Sequence, residues 1–81
     1  MKFTIYAKPE CIFCHHIQSL FDLNEFDYTV YTLDTDFSKE QFYAEFGEGS
    51  TFPQINLDGK NLGGCSDTIK YLQENDICCN V

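Results

Sequence analysis

The stretch "KFTIYAKPECIFCHHIQSLFDLNEFDYTVYTL", Lys2 to Leu33, decides the fold. Phe3, Ile5 and Ala7 alternate with Thr4 and Tyr6, the two-residue period of a strand with one buried face. Pro9 stops that strand. From Ile12 to Leu23 the apolar positions Phe13, Cys14, Ile17, Leu20 and Phe21 return at helical spacing. Asn24 is expected to close the helix in a left-handed conformation. Phe26 to Leu33 is aromatic and β-branched, the composition of a second strand. Strand, helix and strand in about thirty residues make a βαβ unit, whose strands are expected to run parallel. Its helix opens on Cys11-x-x-Cys14.

Working outward, Ser38-x-x-Gln41 is a capping box, and the helix behind it, with Phe42 and Phe46 on one face, closes at Gly47. "TFPQINLDGKNLGG" (Thr51–Gly64) holds two short strands around Asp58-Gly59, a hairpin turn pair. Ser66 to about Glu74 reads as a last helix, with Ile69 and Leu72 inward and Cys65 or Ser66 at its cap. The order βαβ, α, ββα predicts an α/β fold with a four-stranded sheet and three helices. One domain is expected over residues 1–76, followed by a short tail, 77–81, in which Cys78 and Cys79 are frayed.

Composition narrows the function. The net charge is −8, and all five cations are lysines: Lys2, Lys8, Lys39, Lys60 and Lys70. Such a chain is not expected to bind nucleic acid, which needs a basic surface to displace counterions. No run of about 18 apolar residues predicts a membrane span. The N-terminal apolar run is too short for a signal peptide, so the cytoplasm is the expected location. Five cysteines, an odd number, argue against a secreted disulfide framework and for catalytic or metal use of Cys-x-x-Cys.

A structural zinc ion wants four ligands, usually as two spaced pairs. His15-His16 and Cys78-Cys79 both lack that spacing, so no metal site is expected. A redox reading explains more. Cys11 falls just before the helix, where amide N–H groups and the helix dipole favour a thiolate. Lys8 adds a cation nearby, and Glu10 a carboxylate that opposes it. Cys14, one turn in, shares the face of Ile17 and Phe21. The expectation is an exposed nucleophile, Cys11, and a buried resolving thiol, Cys14. Cys-x-x-Cys beside a βαβ unit is the thioredoxin-like signature.

Three separated motifs resemble the glutaredoxin family, over Lys2 to about Asn75: Lys8-x-x-Cys11-x-x-Cys14, "TFPQI" (Thr51–Ile55) against the family's Thr-Val-Pro loop, and "GGCSD" (Gly63–Asp67). The short length looks like the bacterial or phage type. The resemblance implies a thioredoxin-like fold, a four-stranded mixed sheet flanked by three helices, and glutathione-dependent reduction of protein disulfides and glutathione mixed disulfides, with glutathione as co-substrate and no bound cofactor. It implies that Lys8 meets the glycine carboxylate of glutathione and that the Phe52 backbone pairs with the cysteinyl unit as a strand edge would. Pro53 is expected to be cis, Thr51 belongs to the same loop, and Phe13 walls the groove where the family usually has Tyr. The N–H groups of Cys65 and Ser66 would hold the γ-glutamyl carboxylate at a helix N-terminus, and Asp67 the ammonium. Cys65 itself is expected to be inert. Ribonucleotide reductase is a partner the family implies, and a monomer is expected.

One departure bears on function. Ile12 stands where the family typically has Pro, and family variants lacking it include glutathione-ligated [2Fe–2S] dimers. Two alternatives to the glutathione enzyme therefore stand: such a cluster-binding dimer, and a redoxin fed by thioredoxin reductase.

Overall fold

In a computed structural model describing residues 1–78, β1 (Lys2–Ala7) leads through the Lys8–Glu10 turn into α1 (Ile12–Leu23), and β2 (Asp27–Thr32) follows. The sequence-derived bounds of β2 shrink by one residue at each end. Leu33 is drawn out of the strand into a bridge with Phe37. Asn24 is the C-cap of α1, but at φ −93° it is not left-handed. The positive φ, 56°, falls on Glu25. Asn24 instead holds the last turn with its amide, which donates to the Leu20 carbonyl at 2.8 Å.

The second half follows the expected order: α2 (Lys39–Phe46), β3 (Gln54–Leu57), β4 (Lys60–Gly63) and α3 (Cys65–Glu74). The capping box of α2 is complete. The Gln41 N–H donates to the Ser38 hydroxyl at 3.2 Å, and the Ser38 N–H donates to the Gln41 side chain at 2.8 Å. Asp58 and Gly59 both have positive φ, 49° and 88°, as a two-residue turn between twisted strands requires. The helix α3 starts one residue earlier than expected, at Cys65, because its N-cap is Gly64 and not a residue with a side-chain acceptor.

The sheet order is β2-β1-β3-β4. β1 pairs with β2 in parallel (Ile5 opposite Val30) and with β3 antiparallel (Ile5 opposite Ile55). β3 and β4 form the antiparallel hairpin. The sheet is therefore mixed and four-stranded with three helices, as the sequence predicts.

The period of β1 sorts the layers. Phe3, Ile5 and Ala7 enter a core with Ile17 and Phe21 of α1, Ile55 of β3 and Leu72 of α3. Tyr6, on the opposite face, meets Phe46 of α2 with ring centroids 5.0 Å apart. Phe42 is the one fully buried residue of α2 and lies parallel to Phe52 at 4.1 Å. Ile77 and Cys78 are not frayed. Both pack against the core, and the Ile77 N–H reaches the Leu72 carbonyl at 2.8 Å. Cys79 lies outside the described residues.

Candidate active site

The end of β1 and the start of α1 bring the two cysteines together. Glu10, at φ 57°, turns the chain, and Cys11 then takes an extended conformation as the N-cap (φ −104°, ψ 110°). The Cys14 N–H donates to the Cys11 sulfur at 3.2 Å, so the sulfur itself caps the helix. Cys11 and Cys14 are joined as a disulfide with Cα atoms 5.2 Å apart.

Cys11 is not the openly exposed residue that the sequence suggested. It is 5% exposed against 2% for Cys14. It is bonded to Cys14, and both cysteines join the core cluster. The exposed surface beside them belongs to Ile12 (80%) and Phe13 (63%). The asymmetry survives in a different form: only Cys11 sits at the helix terminus with an N–H aimed at its sulfur.

Two adjoining hollows flank this turn. A groove of about 210 Å³ is walled by Phe13, by Thr51, Phe52 and Pro53, and by Gly64 to Asp67. A wider one, about 490 Å³, shares Thr51 and Phe52 and is bordered by Lys8. Three sequence-distant motifs thus converge on one face of the molecule. Phe13 is in the groove wall and not in the core. Cys11 and Cys14 do not line the groove, being covered as a disulfide.

The two groove walls are built by the two ends of the β3–β4 hairpin. Thr51–Pro53 leads into β3, and the Phe52–Pro53 peptide is cis, as expected. Gln54, 9% exposed, donates from its side-chain amide to the Thr51 carbonyl at 2.9 Å, and Asn61 of β4 donates to the Gln54 side-chain oxygen at 3.3 Å. The loop is thereby tied to the hairpin on the far side of Pro53. The ring of Phe52 is locked on Phe42, and the Lys8 ammonium lies 5.8 Å from its centroid. A cation over a ring face at this range is attracted by the ring quadrupole.

The opposite wall begins where β4 ends. The Gly64 N–H donates to the Asp67 carboxylate at 3.3 Å. Asp67 also presses on Gly63, at φ +102°. A Cβ there would come within 2.6 Å of the carboxylate oxygen. Asp67 thus caps α3 and lines the groove at once. Cys65 is a buried free thiol whose burial pushes its pKa up, which disfavours a nucleophilic role.

Sequence reasoning missed Lys39 and Tyr43, which border the same hollow as Lys8. Lys39 is the first residue of α2, and nothing local in the sequence ties that position to Lys8. It missed Gln54 as well, because Gln54 sits in a strand and faces neighbours from two other segments.

The sequence pattern of the glutaredoxin family matches residues 3–62. Glutaredoxin 1 of Rickettsia prowazekii is 32% identical over 72 residues, covering 86% of this chain and 76% of that protein. Glutaredoxin-C6 of Oryza sativa is 27% identical over 74 residues, and the chain spans 66% of its length. Among solved structures, a buckwheat glutaredoxin–glutathione complex superimposes with a TM-score of 0.78 at 22% identity, over 93% of this chain and 71% of that one. That likeness shows the fold.

Proposed function

From the premise that the chain belongs to the glutaredoxin family, we propose that it is a glutathione-dependent thiol–disulfide oxidoreductase working through Cys11 and Cys14. The observation that carries the reading is the Cys11–Cys14 disulfide capping α1, set beside a groove that three separated motifs assemble.

The chemistry follows from the geometry. In the reduced protein the Cys14 N–H and the α1 terminus stabilise negative charge on the Cys11 sulfur. The Cys11 thiolate attacks one sulfur of a substrate disulfide. A Cys11–substrate disulfide forms, and the other substrate sulfur leaves as a thiolate. Cys14 loses its proton and attacks the Cys11 sulfur, which closes the Cys11–Cys14 bond and releases the second substrate thiolate. Two electrons have passed to the substrate. Two glutathione thiolates reopen the disulfide in successive exchanges and leave as glutathione disulfide.

The groove suits glutathione. The buckwheat protein is described as a complex with that ligand. Lys8 would meet the glycine carboxylate, joined by Lys39 across the same hollow. The backbone of Phe52 before Pro53 would pair with the cysteinyl unit, and Thr51 and Phe13 would flank it. The amide groups of Cys65 and Ser66, at the α3 terminus, would hold the γ-glutamyl carboxylate, and Asp67 the ammonium. Protein disulfides and glutathionylated proteins are the proposed substrates, with ribonucleotide reductase among those the family implies. A cytoplasmic monomer with no bound cofactor belongs to the same reading.

The test couples the protein to glutathione, glutathione reductase and NADPH on a small mixed disulfide. Glutathione-dependent turnover is expected. Turnover with thioredoxin reductase and none with glutathione sinks the reading, as does purification of the active protein as a coloured cluster-bound dimer.

Two substitutions probe the groove walls. Lys8→Ala should raise the KM for glutathione roughly three- to fivefold with kcat little changed, the scale of one exposed charge contact. The effect should shrink as salt screens it. An unchanged KM at low ionic strength removes Lys8 from the site.

Gly63→Ala should lower stability by about 1–2 kcal/mol, because an L side chain is forced into a left-handed backbone, and should also raise the KM for glutathione by displacing Asp67. Gly49→Ala is the control. Its φ is +87°, yet nothing lies within 4 Å of the added Cβ. It should lose stability and keep its KM. Equal KM values for the two variants in the coupled assay would detach Asp67 from glutathione.

A further inference from the structure

Behind the catalytic groove, between α2 and the sheet, lies a separate hollow of about 280 Å³. Its walls are aromatic. Tyr6 of β1 meets Phe46 edge-on (5.0 Å, 63°) and Phe37 edge-on (5.7 Å, 71°). Phe42, 1% exposed, packs against both Phe37 and Phe46. Phe37 and Phe42 are stacked at 22°, so the lining combines edge-on and stacked rings around a small open space.

Among the described residues the only charged one lining this hollow is Glu45, with Gln41 beside it. Among the described residues no lysine stands at ion-pair distance from Glu45; the one such pair is Lys70–Glu74. The charge of Glu45 is felt inside. The Tyr6 hydroxyl is pushed up first by burial, then by the Glu45 carboxylate and by Tyr31. Aromatic faces and one unpaired carboxylate are the groups that attract an organic cation. The net charge of −8 adds a field of the same sign preference.

We propose that this aromatic hollow receives a lysine or arginine side chain of the protein whose disulfide is reduced at Cys11. Continuity with the groove argues for a partner engaged there. Phe42 and Phe37 both stack on Phe52, at 4.1 and 6.2 Å, and Phe52 walls the groove. The hollow is thus one ring behind the catalytic face. Charge complementarity argues for a basic side chain and against an apolar one. The identity of the partner as a disulfide substrate rests on the oxidoreductase reading above. The cation site does not.

The experiment keeps the two apart. The oxidised protein is titrated with a Gly-Lys-Gly peptide blocked at both ends, and with the same peptide acetylated on the lysine amine, by two-dimensional NMR. The charged peptide should shift Tyr6, Phe37 and Phe46 signals, weaken with salt, and bind at least ~threefold more tightly than the acetylated one. Glu45→Gln and Phe46→Leu should each remove that preference, while turnover of a small mixed disulfide stays intact. Equal binding of the two peptides, or shifts confined to the groove, overturns the proposal. So do shifts that follow protein concentration without peptide, which would place a second copy of the chain in the hollow. With the cation site confirmed, glutathionylated peptides with a flanking lysine or glutamine are compared as substrates. A lower KM for the lysine peptide, lost in Glu45→Gln, is expected. Equal KM values overturn the substrate assignment. Absent glutathione-dependent turnover of the small disulfide counts against the oxidoreductase reading instead.

Discussion

Cys11→Ser abolishes every exchange reaction, whereas Cys14→Ser retains turnover of glutathione mixed disulfides and loses the two-thiol reduction of protein disulfides. That is the expected result, and it follows from where the two sulfurs sit. The Cys11 sulfur accepts the Cys14 N–H at the N-terminus of α1, a position that favours a thiolate over a thiol. Cys14 lies a turn into the helix, 2% exposed, among Ile17, Phe21 and the sheet. It can reach the Cys11 sulfur and little else. A glutathione mixed disulfide needs only the first attack, because a second glutathione can release the product. A protein disulfide needs the internal second attack. The variants are compared in the coupled assay on a small glutathione mixed disulfide and on a disulfide protein. If both single variants lose the first activity equally, the assignment of nucleophile and resolver is wrong.

The second large effect is on stability. Phe42→Ala should cost about 3–5 kcal/mol, the usual range for emptying a buried phenylalanine site. Small domains hold only about 5–15 kcal/mol in total, and each lost kcal/mol lowers Tm by roughly 4–8 °C at this size. A fall of about 15 °C or more is therefore expected in thermal unfolding followed by circular dichroism. The reason is local. The helix α2 has eight residues, too few to persist alone in water. Phe42 is its one fully buried side chain, and the ring touches Phe37, Phe46 and Phe52. Removing it also frees Phe52, so the surviving folded protein should show a raised KM for glutathione. Phe42→Leu, which refills most of the space, should recover most of the Tm. A drop under about 5 °C for the alanine variant would mean that α2 is held by something other than this stack.

The parts of this fold that are local in the chain were legible in the sequence. The alternation of Phe3, Ile5 and Ala7, the helical spacing from Phe13 to Phe21, the Ser38–Gln41 box and the Asp58-Gly59 turn each depend on residues a few positions apart. Of the site, the residues of the three motifs do converge, since each motif carries its own local geometry. What stayed hidden needs partners distant in sequence. Gln54 looks like any polar strand residue until Thr51 and Asn61 are placed around it. Lys39 joins Lys8 only because α2 packs over the sheet. The burial of Cys11 was misread for a different reason: a helix terminus suggests a solvent-facing thiol, whereas Cys11 is bonded to Cys14 and packed with it in the core cluster.

The hairpin carries a consequence for how this site can change over time. Thr51–Pro53 enters β3 and Gly64–Asp67 leaves β4, and a Cβ placed on Gly64 would be in ordinary van der Waals contact with the Pro53 carbonyl, at 3.5 Å. Ile55 pairs with Gly63 beside a register shift between Ile55 and Asn56, so both walls spring from the same irregular end of the hairpin. Both walls are thus anchored in one hairpin, and the groove's chemistry comes from the side chains of Phe13, Thr51 and Asp67 and from the backbone of Phe52, Cys65 and Ser66. Those side chains can be exchanged one at a time, and ligand preference can drift with them. The pairing beneath them is harder to alter, because a one-residue slip would turn every side chain of a strand to the other face of the sheet.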